Sequence, residues 1–199
     1  MAHPDKGIVF ALTKPKVEEI ANYLERHTSN VVARYHSGMT FDERKNILSL
    51  WKSPNCSYIV ATCGLGQGVD YPNVRTVLHF GLAHSLTDYA QETGRSGRDG
   101  KPAKCVTIYS ETYFQRFSKH LTVGSSSNKG EYQALSTLRA FLLDKIRCRR
   151  QRLQEAMDGS GFPCTVDDVN EVCDVCSRAM GDDQNKRWGR WVLHLARTS

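Results

Sequence analysis

The sequence predicts an α/β fold, a parallel sheet covered by helices on both faces, followed by a small helical unit. Three observations carry this. Short apolar runs alternate with segments of helical period across residues 1–122, and strands alternating with helices imply a parallel sheet. The strand runs are nearly continuous in apolar residues, as in strands buried on both faces. Beyond residue 130 the strand signals cease, and helical spacing with clustered cysteines takes over.

The elements follow in order. Gly7–Thr13 is a short apolar run and reads as a buried strand. Val17, Ile20, Ala21 and Leu24 recur at helical spacing, with Pro15 near the helix start. Val31–Tyr35 is the second strand. Thr40-Phe-Asp-Glu43 has the form of a capping box and opens a helix through Ile47, Leu48 and Trp51, which Pro54 stops. Tyr58–Thr62 and Val74–Phe80 are strands, Ser85 starts a helix through Tyr89 and Glu92, and Ala103–Tyr109 is the last strand. Residues 123–130, rich in Gly and Ser, read as a flexible linker. Leu135, Leu138, Leu142 and Ile146 then mark one face of a long helix, expected from Glu131 to about Met157, with Gly159 as its stop. The expected units are 1–122, the linker 123–130, a helical unit 131–180 and a tail 181–199. In the tail, Trp188 and Trp191 at i, i+3 read as a packing stripe.

Composition narrows the class. The 199 residues are 40% hydrophobic and 24% charged, which excludes disorder throughout. No apolar stretch approaches the length of a membrane-spanning helix, so no membrane partner is expected. Met1–Lys6 lacks the basic and apolar regions of a secretory signal, so an intracellular protein is expected. The net charge of +6 permits a polyanionic partner. Seven cysteines, an odd number without a signal, argue against a disulfide framework. Cys56, Cys63 and Cys105 lie among apolar residues and read as small buried hydrophobes.

Three segments carry glycines and polar residues near element ends: Tyr35–Met39, Ala61–Asp70 and Gln91–Gly100. In open α/β sheets, ligands bind beyond the carboxyl ends of the strands. In the third segment Arg95 and Arg98 are separated by small residues. Two guanidinium groups on one glycine-rich loop suit a phosphate chain and can stabilise charge developing in phosphoryl transfer. A solvated Gly-Arg turn is the plain alternative. In the second segment Thr62 and the amides after it could hold a nucleic-acid phosphate. Asp70 could accept from a ribose or an arginine, and a flexible turn is the alternative there.

Taken together, these segments resemble the second RecA-like domain of RecQ-type DNA helicases. Lys6–Phe10 resembles helicase motif IV, and Tyr35-His-Ser-Gly38 the segment after it. Ile59–Thr62 through Gly68-Val-Asp70 to Arg75 resembles motif V, and Tyr89–Gly100 motif VI. The resemblance implies a RecA-like parallel sheet and an ATP-dependent 3′-to-5′ DNA helicase. Arg95 and Arg98 would face a nucleotide held by a first RecA-like domain, with Arg98 the arginine finger and Gly68, Asp70 and Gln91 supporting the ATP site. His36, Ser37 and Thr62 would lie toward single-stranded DNA. The sequence departs from the family in motif V, where Gln67 replaces a methionine and Leu65 a phenylalanine.

The late cysteines read Cys148-x15-Cys164-x8-Cys173-x2-Cys176. Four thiolates suit tetrahedral zinc, and a Cys-x-x-Cys pair grips one side of the ion. Cys148 would come from the long helix. RecQ helicases carry a helical zinc-binding subdomain at this place, which Cys148-Arg-Arg150 and Cys173-Asp-Val-Cys176 resemble. The surrounding Arg147, Arg149, Arg150 and Arg152 either contact phosphates or form a solvated face. No G-x-x-x-x-G-K-[ST] and no DExH box occurs in the sequence. ATP and magnesium are therefore expected only with a first RecA-like domain, in cis or in trans, and turnover is not expected of the chain by itself. The alternative is a catalytically inactive remnant acting as a zinc-containing DNA-binding module. A DNA partner would place a eukaryotic protein in the nucleus.

Overall fold

The computed structural model describes residues 5–28, 30–65, 70–122, 128–164 and 172–181. The elements are β1 (Lys6–Ala11), α1 (Lys14–Thr28), β2 (Val31–Tyr35), α2 (Phe41–Lys52), β3 (Cys56–Ala61), β4 (Val74–Phe80), α3 (Leu86–Thr93), β5 (Lys104–Ile108), α4 (Glu111–Thr122), α5 (Asn128–Leu143), α6 (Arg149–Asp158) and α7 (Asp174–Ala179). The five strands form one sheet in the order β2-β3-β1-β4-β5, parallel throughout. This is the α/β architecture expected from the alternation.

Alternation along β1 builds two cores. Ile8 and Phe10 pack with Ala33, Ile59, Val77 and Cys105 against Trp51 of α2. Val9 and Ala11 pack with Val32 and Val60 against Val17 and Ala21 of α1. Trp51 and Val17 are fully buried, and each side chain removed from water in this way stabilises the fold by about 1.5–3 kcal/mol. The capping box forms as expected. Thr40 Oγ1 accepts from the Glu43 N–H at 3.3 Å, and the Glu43 carboxylate accepts from the Thr40 N–H at 2.7 Å.

A third core joins the two halves of the chain. Leu82, Ala83, Tyr89, Tyr109 and Phe114 pack with Leu135, Leu138, Phe141 and Leu142 of α5 and Leu153 of α6. Helix α4 was not expected from the sequence, and α5 begins at Asn128, inside the stretch read as linker. The long helix is broken. The Asp144 carboxylate accepts from the N–H groups of Ile146 and Arg147 at 2.9 and 3.1 Å, a local bond that competes with helix continuation. Ile146 is consequently exposed rather than part of a buried face, and Cys148 stands just before α6, without a side-chain capping bond, instead of lying inside a helix. Gly159 does end α6, at φ 78°, with its N–H on the Glu155 carbonyl. Cys63 is exposed, contrary to its reading as a buried hydrophobe, because it follows β3 rather than lying within it. Among the described residues no helix is long and apolar enough to cross a membrane. Trp188 and Trp191 lie outside the described residues.

Candidate functional site

The sheet order places β1 between β3 and β4, so the chain reverses direction across the sheet there. Beyond the carboxyl ends of β2 and β3 lie the first expected segment and the start of the second, Thr62–Leu65. The Thr62 N–H donates to the Tyr35 carbonyl at 3.1 Å, tying the chain leaving β3 to the end of β2. Ser37 is exposed, His36 is half-buried and the Thr62 side chain is buried. His36 Nδ1 has no hydrogen-bond partner among the described residues.

The third segment sits elsewhere. Ser85 caps α3 by accepting from the Asp88 N–H at 3.0 Å. Past Gly94 the chain runs back to the amino end of β4. Ser96 Oγ donates to the Thr93 carbonyl at 2.8 Å and meets Cys105 Sγ at 3.3 Å. The Gly97 N–H reaches the carbonyl of Val74, the first residue of β4, at 3.0 Å. Gly97 has φ 63°, a conformation glycine adopts without steric cost. Asp99 pairs with Arg75 of β4. The arginine loop is therefore pinned at the end of the sheet opposite Thr62. The expectation that all three segments gather at the carboxyl ends is corrected: a helix that crosses β4 carries the third to the other end.

At that end Arg98 Nη1 lies 2.8 Å from Asp70 Oδ1, and Arg98 Nε bonds the Gly94 carbonyl at 3.3 Å. The side chains are 40% and 85% exposed. An exposed pair of this kind contributes about 0–1 kcal/mol, so a competing anion can take over the guanidinium. Arg95 is half-buried. Its burial, reinforced by the positive charge of Arg98, lowers its proton affinity from the usual arginine value. The loop thus offers two cations near each other, which an anion would relieve. Gln91 is exposed on α3. Gly68 lies outside the described residues.

Sequence reading missed a buried pair behind this loop. His79 Nε2 of β4 lies 2.7 Å from Glu92 Oε2 of α3, with both side chains buried. The signal was present: Glu92 falls between the buried Tyr89 and Thr93 on one face of α3. A carboxylate on an apolar helix face needs a partner.

The four late cysteines converge. Cys148, Cys164, Cys173 and Cys176 place their sulfurs within 4.8 Å of one another. Cys148 Sγ lies 3.6 Å from Cys164 Sγ and 3.9 Å from Cys173 Sγ. Zinc–sulfur bonds of about 2.3 Å in a tetrahedron give sulfur–sulfur edges of about 3.8 Å, so the donor set fits such an ion. The N–H groups of Arg149, Cys164 and Cys173 point at cluster sulfurs, each at 3.4 Å. A hydrogen bond with Cys164 pushes the Cys173 thiol well down and that of Cys164 up.

The basic run is committed largely to structure. Arg149 is buried and pairs with Asp174 at 2.7 Å, while its guanidinium lies over the Phe141 ring at 5.4 Å. Arg147 and Arg152 pair with Asp144 at 2.7 and 3.2 Å. These pairings favour neither reading from the sequence. They tie α6 to α5 and α7.

Comparison with known proteins identifies the family. Residues 1–100 match the family described as helicase conserved C-terminal domain. The ATP-dependent DNA helicase hus2/rqh1 of Schizosaccharomyces pombe is 35% identical over 177 residues, covering 86% of this chain and 13% of that protein. The ATP-dependent DNA helicase RecQ of Pasteurella multocida is 32% identical over 173 residues, covering 85% of this chain and 26% of that protein. The chain thus spans about a quarter or less of these relatives. In fold, it is similar to domain 2 of the DEAD-box helicase Mss116p, solved bound to an RNA duplex. That likeness has a TM-score of 0.50 at 23% identity and covers 67% of this chain and 57% of that one. With the family matched over half its length and RecQ-type relatives aligned over most of it, the chain belongs to the helicase conserved C-terminal domains and corresponds to the C-terminal half of a RecQ-type helicase.

Proposed function

We propose that this chain is the C-terminal motor half of an ATP-dependent 3′-to-5′ DNA helicase, completing an ATP site whose phosphate cradle and magnesium carboxylate belong to a first RecA-like domain. The observation that carries the reading is the arginine loop. Its backbone is held rigidly at the amino end of β4, while the Arg98 guanidinium is kept by an exposed pair with Asp70 and one bond to the Gly94 carbonyl. Rigid backbone with a releasable guanidinium is what electrostatic stabilisation of a transferring phosphoryl group requires. Arg98 leaves Asp70 for the developing charge. Arg95 binds the same phosphate chain, and Asp70, Gln91 and Gly68 support the site.

Single-stranded DNA runs over the other end, along His36, Ser37 and the chain at Thr62. Closure of the two RecA-like domains around ATP then moves that grip. The four cysteines hold a structural zinc, which supplies folding energy and takes no part in the reaction. In a eukaryotic cell the DNA partner places the protein in the nucleus.

The test joins this chain behind the first RecA-like domain of a RecQ relative. Arg98→Ala is expected to lower DNA-stimulated ATP turnover by about 10³-fold or more, the scale of a lost arginine finger. DNA affinity should stay unchanged. Turnover equal to that of the unsubstituted protein would remove Arg98 from this role. Competition between DNA and RNA oligonucleotides on the same protein checks the nucleic acid, and preference for RNA would overturn the DNA assignment.

A further inference from the structure

The His79–Glu92 pair lies toward the carboxyl end of β4, where His79 is the last residue but one. Glu92 stands three residues before Arg95, and the Gly97 N–H is fixed to Val74 on the strand that carries His79. One buried pair therefore anchors the start of the arginine loop, as Gly97 and Asp99 anchor its end. The His79 ring is itself clamped. It stacks on Phe10 with centroids 5.2 Å apart and tilts against Tyr89 at 5.1 Å. Neither the ring nor the carboxylate can shift without disturbing β1, β4 and α3 together.

The other side of the pair faces the opposite end of the site. His79, Glu92, Cys63 and His84 border a cavity of about 10 Å³ near the carboxyl ends of β1, β3 and β4. Cys63 directly follows Thr62, where the chain leaves β3. The pair in this way borders both the cavity that Cys63 lines and the start of the loop assigned to ATP.

We propose that His79, acting through Glu92, is a positioning residue for Arg95 and Arg98. This rests on the reading of those arginines given above. The hydrogen bond between His79 Nε2 and the Glu92 carboxylate fixes the last turn of α3 and the direction in which the loop departs. Without it, the loop keeps its attachments at Gly97 and Asp99 but loses its starting point. The arginines then miss the phosphoryl group even though no residue touching nucleotide has changed.

The experiment uses the joined protein described above, with His79→Ala, His79→Gln and Glu92→Gln. Val17→Ala, on the opposite sheet face, serves as a control of comparable destabilisation. His79→Ala should lower kcat by about 10²-fold, the scale expected when reacting groups are misplaced by about an ångström. KM for ATP and DNA affinity should stay within about twofold, the signature of an interaction made only in the transition state. His79→Gln, whose amide can still donate to Glu92, should recover most of the loss. Val17→Ala should leave kcat alone. Unchanged kcat in His79→Ala, or an equal loss in Val17→Ala at matched Tm, overturns the proposal.

A second measurement keeps the two readings apart. In the chain by itself, the Nε–Hε NMR signal of Arg95 reports the loop without any ATP. It should move in His79→Gln only slightly and in Glu92→Gln clearly, because a neutral amide replaces the charged partner. An Arg95 signal unmoved by Glu92→Gln overturns the positioning role. A joined protein that hydrolyses no ATP with the unsubstituted chain overturns the arginine reading instead.

Discussion

The sheet half and the cysteine module are held together by different forces. Around the sheet, Ile8, Ile59, Val60, Val74 and Trp51 are all fully buried, and helices cover both faces. Past Cys148, the cluster of buried residues is Cys148, Cys164, Cys173 and Val175, with Val172 and Cys176 against it. Among the described residues, two valines and Leu153, which packs into the third core, are few apolar groups to set against the entropy of ordering this segment. The first region is stable through area removed from water. In the second, the described buried residues are mostly thiols, with Arg149 bonded to Asp174 beside them. One chain thus carries an apolar sheet core and an appendage gathered around four cysteines.

The sharpest way to break this contrast is to remove the proposed zinc. Native mass spectrometry should show one zinc per chain, lost on chelation and in Cys173→Ser. Structural zinc sites contribute apparent binding energies of about 10–16 kcal/mol in small peptides, so this is the largest effect expected. Hydrogen exchange should then speed up across α6 and α7 while β1, β3 and β4 stay protected. Protection unchanged in α6 after chelation would mean that the module stands on packing after all.

A second way is to cut the seam. Phe141 of α5 is fully buried, lies 5.8 Å from the Tyr89 ring of α3, and carries the guanidinium groups of Arg149 and Arg152 over its ring at 5.4 and 5.3 Å. Phe141→Ala should cost about 3–5 kcal/mol, the usual range for a buried aromatic. The loss should appear as a splitting of urea unfolding, the module melting first and the sheet at its former midpoint. A single transition that shifts as a whole would show that the two regions unfold as one.

How much of this was legible in the sequence differs between the regions for the same reason. Strands β1 to β5 announced themselves because β-sheet burial demands apolar runs, and the capping box at Thr40 marked α2 by its own chemistry. The four cysteines could be named from spacing, since metal-ligand chemistry admits few residue types. What could not be read was geometry made by side chains far apart in sequence. The break at Asp144 depends on a carboxylate choosing backbone N–H groups over solvent. The placement of Arg95 and Arg98 opposite Thr62 depends on the course of α3 across β4. The His79–Glu92 pair joins residues that, read singly, look like a strand residue and a surface helix residue. The roles proposed for His36, Ser37, Thr62 and the arginines came from family resemblance, since polar residues at element ends carry no pattern of their own.

The smallest effect probes a buried ammonium within the apolar half. Lys6 opens β1, yet its side chain is buried, with Nζ donating to the carbonyls of Ser53 and Cys56 at 2.6 and 2.7 Å. Desolvation lowers its pKa from the usual 10.5, outweighing the pull of Cys56. The unfolded chain therefore holds this proton to higher pH than the folded one. Between the lowered folded value and the unfolded value, stability rises with pH, because the unfolded state binds more protons there. Below that window the full desolvation cost is present, offset by the two carbonyl bonds. Lys6→Met removes both the bonds and the titration. Near neutral pH it should cost about 1–3 kcal/mol through buried carbonyls left without a donor. The gap between the two proteins, followed by urea unfolding from pH 7 toward pH 10, should widen, by no more than about 1.4 kcal/mol per pH unit for one proton. A gap that stays flat would show that the ammonium holds its proton as firmly inside the fold as in water. The sheet half would then tolerate a buried charge as readily as the cysteine module does at Arg149.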